Sequence, residues 1–132
     1  DQHLARMQLA DLFLDTAPYN AHTTACDALW SGLPLLTCTG NAYPARVATS
    51  LLHALDLPEL VTSNLADYEK RAIELAHNPA ELAAIRQKLW QNRDTASLFD
   101  AENFARKLER AFIAMQQRQE AGLPPAAIQL DA

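Results

Sequence analysis

His22, Thr23 and Thr24 stand side by side just ahead of a stretch with helical spacing that carries Asp27 and Trp30, and a short apolar run, Leu12-Phe13-Leu14, precedes them. Two hydroxyls and an imidazole at a helix start put donors where backbone N–H groups lack intrahelical partners and the helix dipole is positive. Such a position is a natural seat for an anion. Asp27 lies four residues past Thr23, about one turn further, so it can face the same crevice and accept from a ribose hydroxyl. The chemistry implied is capture of a nucleotide diphosphate at the end of a parallel strand. The plainer reading is a helix cap worth about 1 kcal/mol, with Asp27 an ordinary solvated helix residue.

Those residues need a strand, loop and helix to position them. Leu12 to Asp15 is apolar and flanked by loop signals, which predicts a parallel strand buried on both faces. Thr16 to Asn20 is its turn, and a helix from about Thr23 to Ser31 is closed by Gly32 in the left-handed conformation. Pro34 to Thr39 is a second strand and Gly40-Asn41-Ala42 a turn. An amphipathic helix then covers Tyr43 to Leu55, with Val47, Leu51, Leu52 and Leu55 at core spacing and Pro44 tolerated in its first turn. Leu60 to Thr62 is a third strand. Ser63 or Asn64 caps a helix from near Leu65 in which Ile73 and Leu75 face inward, until Asn78-Pro79 interrupts it. Another helix runs from Pro79 to about Arg93 on a stripe of Leu82, Ile85, Leu89 and Trp90. A further helix, Gln2 to Leu9, precedes all of these.

Asp100 caps a last long helix in which Phe104, Leu108, Phe112 and Met115 recur at four- and three-residue intervals. The chain after Gly122 reads as a surface extension. Trp30, Trp90 and the Phe104–Met115 stripe are expected in the core. Strands alternating with helices imply βαβ units with right-handed crossovers, hence an α/β fold with a parallel sheet. Three strands are too few for a complete doubly wound domain. The expected architecture is therefore the second half of a Rossmann-like lobe over residues 1–99, then a C-terminal helix and tail over 100–132.

At 132 residues, 49% hydrophobic and 20% charged, the chain is a folded domain with enough length to bury a core. A net charge of −5 argues against a broad electrostatic footprint for nucleic acid or an anionic membrane, so a phosphate must be gripped locally. No apolar run approaches about 20 residues, and no signal-peptide pattern opens the chain; the expectation is a cytoplasmic protein with no membrane partner. Cys26 and Cys38 lack CxxC spacing and read as buried thiols. His3, His22, His53 and His77 are too scattered for a zinc site, so no metal ligand is assigned.

Leu9-Ala10-Asp11-Leu12-Phe13-Leu14-Asp15-Thr16, Asn20-Ala21-His22-Thr23-Thr24, Asp27-Ala28-Leu29-Trp30-Ser31-Gly32-Leu33-Pro34 and Ala45-Arg46-Val47-Ala48 occur in one order, continued by Tyr68-Glu69, Lys88-Leu89-Trp90, Ser97-Leu98-Phe99 and Leu108-Glu109-Arg110. This set resembles the O-linked N-acetylglucosamine transferases across nearly the whole chain. The resemblance implies a glycosyltransferase fold of the two-lobed B type (GT-B), of which this segment is the end of the second, UDP-holding lobe. It implies metal-independent transfer of N-acetylglucosamine from UDP-N-acetylglucosamine to Ser or Thr of acceptor proteins, with no cofactor. His22, Thr23 and Thr24 match the family's diphosphate-binding run, Asp27 its ribose-binding Asp, and His3 and Arg6 its uridine-contacting pair.

By the same resemblance, the family's two nucleotide-binding lysines fall upstream of Asp1. The proposed catalytic histidine belongs to the N-terminal catalytic lobe, behind tetratricopeptide (TPR) repeats. No catalytic residue is therefore expected in this segment, and the segment alone should not catalyse transfer. Two readings from other classes compete. One is a receiver-like signalling module with Asp15 as phosphoryl acceptor, which needs further acidic residues around Mg²⁺. The other is a helical interaction module acting through the last helix.

Overall fold

The computed structural model describes residues 2–130. Helix α1 (Gln2–Met7) leads to strand β1 (Phe13–Leu14), helix α2 (Thr23–Trp30), strand β2 (Leu35–Cys38), helix α3 (Val47–Ala54), strand β3 (Val61–Thr62), and helices α4 (Leu65–His77), α5 (Pro79–Arg93) and α6 (Ala101–Glu120). The strands form one parallel sheet in the order β1-β2-β3, with Phe13 opposite Leu35 and Leu14 opposite Leu36, then Thr37 opposite Val61 and Cys38 opposite Thr62. Each strand is followed by a helix, as βαβ units require. The mixed α/β architecture with parallel strands follows the sequence pattern. No helix among the described residues is long and apolar enough to cross a membrane.

β2 is the central strand, and Leu35, Leu36 and Thr37 are fully buried in it. Around it close Ala25, Ala28 and Leu29 of α2, Ala48 and Leu52 of α3, Leu75 of α4, and Ile85 and Leu89 of α5, all buried. β1 departs from the expectation of burial on both faces, because it is an end strand of the sheet and Leu14 is 54% exposed. The chain divides into two compact units, residues 1–98 and 99–132.

The expected helix over Tyr43 to Leu55 is broken. A 3₁₀ turn holds Tyr43–Ala45, Arg46 leaves helical geometry at φ −126°, and α3 starts at Val47. The carbonyls of Pro44 and Ala45 explain the break, for they accept from Asn20 N (2.9 Å) and Gly40 N (2.8 Å) rather than from the next helical turn. That exchange ties both neighbouring loops to the start of α3.

α2 ends in a Schellman motif: Gly32 N donates to Leu29 O (3.1 Å), Leu33 N donates to Ala28 O (2.9 Å), and Gly32 takes φ +78°. Asn64 caps α4 by accepting from Asp67 N (2.9 Å), as predicted, and Asn78 caps α5 by accepting from Glu81 N (3.1 Å). Ile73 does not face inward with Leu75. Residues two apart on a helix point to nearly opposite sides, and α4 buries Leu75 while Ile73 is exposed. Trp30 and Trp90 are half-exposed rather than core; their rings lie 4.8 and 4.2 Å from the Arg93 guanidinium, one to each, and Arg93 also donates to Trp30 O (3.0 Å).

Taken by itself, the second unit is α6, capped by Asp100 accepting from Asn103 N (2.9 Å), and the tail beyond Gly122. Phe104, Leu108, Phe112 and Met115 are exposed, contrary to their expected place in a core. The tail is a surface extension as expected, exposed over residues 121–129.

Candidate functional site

In an open parallel sheet, ligands gather outside the carboxyl ends of the strands. Here those ends lead into the 15–22 loop after β1, the 39–46 loop after β2 and the turn that opens α4. His22 occupies the N-cap position of α2 with φ −108° and ψ −87°, and no side chain caps the helix. Thr23 and Thr24 open the first turn, exposed, so hydroxyls and leading N–H groups share one mouth. The cap reading of these residues therefore fails on geometry.

The His22 ring stacks on Tyr19 at 5.0 Å with a 20° interplanar angle, and Tyr43 meets it edge-on at 6.2 Å. Its Nε2 is buried without a hydrogen-bond partner. Buried polar atoms are ordinarily satisfied, so this nitrogen beside the helix mouth stands out.

One turn along α2, the Asp27 carboxylate sits 3.5 Å from His3 Nε2, and Arg6 Nη2 is 3.3 Å from His3 Nδ1. Arg6 can only donate, so Nδ1 faces a donor while Nε2 faces the Asp27 carboxylate. α1 lies against α2, and that packing brings His3, Arg6 and Asp27 into a single chain of contacts. Asp27 and burial also act on the neighbouring Cys26: burial first, then the carboxylate, pushes its thiol pKa above the ordinary value. Cys26 and Cys38 are both free and half-buried.

The structure thus brings together all six residues singled out in the sequence on two adjoining helices and the loop before them. A groove of about 680 Å³ elsewhere in the first unit, lined by Leu12, Leu14, Leu75, Leu82 and Arg86 among others, includes none of them. Among the described residues no three His, Cys, Asp or Glu side chains are grouped as metal ligands would be.

Asp15, Tyr19 and Tyr43 are participants that sequence reasoning did not assign to this site. Asp15 is 7% exposed; its Oδ1 accepts from Thr16 N (2.9 Å) and Ala21 N (2.7 Å) and its Oδ2 from Thr37 Oγ1 (2.6 Å). A phosphoryl acceptor needs a free, exposed carboxylate beside a metal site, so the receiver-like reading does not fit. The signal for Asp15 was present as an Asp followed closely by Thr and Asn at a strand end, the composition of a turn held by side-chain hydrogen bonds.

Comparison with known proteins gives these residues a family. The family model described as Glycosyl transferase family 41 matches residues 1–108. A UDP-N-acetylglucosamine–peptide N-acetylglucosaminyltransferase of Caenorhabditis elegans is 40% identical over 124 residues, covering 94% of this chain and 11% of that protein. A probable UDP-N-acetylglucosamine–peptide N-acetylglucosaminyltransferase of Arabidopsis thaliana is 37% identical over 125 residues, covering 94% of this chain and 13% of that protein. The solved structure of an O-GlcNAc transferase mutant from Thermobaculum terrenum superimposes with a TM-score of 0.80 at 34% identity, over 86% of this chain and 22% of that one. The chain spans roughly a tenth of the length of the curated relatives it matches. It belongs to glycosyl transferase family 41.

Proposed function

We propose that this chain is the UDP-gripping part of a protein O-linked N-acetylglucosaminyltransferase. Its α2 mouth holds the diphosphate of UDP-N-acetylglucosamine, through the hydroxyls of Thr23 and Thr24, the His22 imidazole and the leading N–H groups. Asp27 accepts from the ribose, and His3 and Arg6 meet the uracil side. The observation that carries the reading is the uncapped start of α2 with the unpartnered Nε2 of His22 beside it.

In the longer protein, displacement at the anomeric carbon of the sugar leaves negative charge on UDP. Donors preorganised around that charge lower the barrier more than any other single factor in catalysis of this kind. In this proposal they do so without a metal ion or cofactor, and Asp27 orients rather than reacts. The acceptor Ser or Thr of a protein substrate, the N-terminal catalytic lobe and the TPR repeats are contributed from outside this segment, and the whole acts in the cytoplasm.

Calorimetric titration of the full-length protein with UDP tests the reading. Hydrogen bonds to charged groups contribute about 1.5–3 kcal/mol, so Thr23→Ala and Asp27→Ala should each weaken binding by about tenfold or more. Unchanged affinity in both variants refutes it. For α6 alone, the exposed Phe104, Leu108, Phe112 and Met115 favour a separate reading as an interaction helix.

A further inference from the structure

The Asp15 carboxylate touches no ligand in this reading, yet it is buried and both of its oxygens accept hydrogen bonds. Thr16 N and Ala21 N both donate to the same oxygen, Oδ1, which closes residues 16–21 into a ring whose last member is bonded directly to His22. The ring is filled from within: Thr16 Oγ1 donates to Tyr19 O (2.6 Å) and Asn20 Nδ2 to Thr16 O (3.0 Å). It is held from outside as well, by Thr37 Oγ1 of β2 on Oδ2 (2.6 Å) and by Tyr68 of α4, whose hydroxyl donates to Asp15 O (2.9 Å). Tyr19, carried on the ring, stacks on the His22 imidazole.

From these contacts we propose that Asp15 is a positioning residue for nucleotide binding: it fixes the 16–21 ring, and through Ala21 and Tyr19 it sets where His22 and the first turn of α2 present their donors. The inference rests on the reading that His22, Thr23 and Thr24 hold the diphosphate. A carboxylate suits the task, because one oxygen can accept two N–H groups while the other accepts a hydroxyl. An amide of the same shape keeps Oδ1 for the ring but turns its NH₂ toward Thr37, and an alanine takes away the partner of both Thr16 N and Ala21 N, whose hydrogen bonds are part-buried.

The test uses the full-length protein, UDP as the probe, and binding affinity together with the thermal midpoint as readouts. Asp15→Asn should weaken UDP binding by about three- to tenfold, and Asp15→Ala by more, at temperatures well below unfolding. When His22→Ala and Thr23→Ala are already present, Asp15→Asn should add less than about twofold, because residues acting as a unit are not additive. A residue that only stabilises the fold would lower the midpoint equally in both backgrounds and leave UDP affinity alone.

Asp15→Asn binding UDP within about twofold of the parent, while Thr23→Ala weakens it tenfold, overturns the positioning role and leaves the site reading standing. No effect from Thr23→Ala or His22→Ala either overturns both. If the Asp15 variants do not accumulate as folded protein, the fully buried Thr37 carries the test. Thr37→Val should weaken UDP binding and Thr37→Ser restore it, and equal affinity in those two refutes the proposal.

Discussion

Gly32→Ala probes how α2 is locked at the end opposite its donors. Gly32 sits at φ +78°, and a Cβ built there falls 2.4 Å from Cε2 and Cζ2 of Trp90 and 2.6 Å from its Nε1. Holding an L-residue in the left-handed region costs about 1–2 kcal/mol. The Trp90 ring must also move, and its face 4.2 Å from the Arg93 guanidinium then loses a cation–π contact of about 0.5–1 kcal/mol. Together these give about 1.5–3 kcal/mol, which for a unit of 60–100 residues lowers the thermal midpoint by roughly 6–24 °C. Differential scanning calorimetry with tryptophan fluorescence reads both the loss and the displaced ring. Gly32→Asn should fall between parent and alanine, because asparagine accepts the left-handed backbone but not the clash. Below the transition, UDP affinity should stay near the parent's, since Thr23 is at the other end of the helix. A midpoint drop under about 2 °C for Gly32→Ala would refute the argument.

Other outcomes follow from single contacts. Asn78→Ala removes the side chain that accepts from Glu81 N and should cost about 1 kcal/mol in denaturant unfolding. Burial first, and then the Asp15 and Cys38 charges, raise the Tyr68 pKa. The folded state therefore holds that proton more tightly than the unfolded chain does. The resulting stability is full below about pH 10, the ordinary tyrosine value, and is lost as pH rises toward the folded value; thermal melts of Tyr68→Phe should lack that part of the alkaline loss. Because its pKa is raised by burial and then by Asp27, Cys26 should alkylate with iodoacetamide more slowly at pH 8 than an unhindered thiol, and Asp27→Asn should quicken it.

What the sequence disclosed was set by local rules. Pro79 at a helix start, Asn64 as a cap and Gly32 as a stop act within one turn of chain, and the helices begin and end where those residues sit. The parallel sheet was legible because a continuous apolar run such as Leu35-Leu36 between turns has few other uses. The six candidate residues could be singled out only through their ordered pattern, as spacing alone favours a cap. Tertiary partners decided the rest. The break at Arg46 depends on Asn20 and Gly40 claiming the carbonyls of Pro44 and Ala45, and no periodicity encodes that. Trp30 and Trp90 look like core until Arg93 is placed against both of them.

The division of labour around the α2 mouth follows from what each group must avoid. A side chain that caps the helix accepts from its leading N–H groups and so takes them from a phosphate, and the α2 mouth keeps those donors for a ligand only if something else holds the chain leading into the helix. Here that burden falls on groups behind the mouth, with Asp15 closing the loop, the Pro44 carbonyl taking Asn20 N, and Tyr68 gripping the end of β1. Their hydrogen bonds are part-buried or buried, where the cost of breaking them is highest. Rigid support from partnered polar groups and exposed donors without partners are thus two halves of one arrangement. Both trace to the residues from Asp15 to Thr24, which join the carboxyl end of β1 to the first turn of α2.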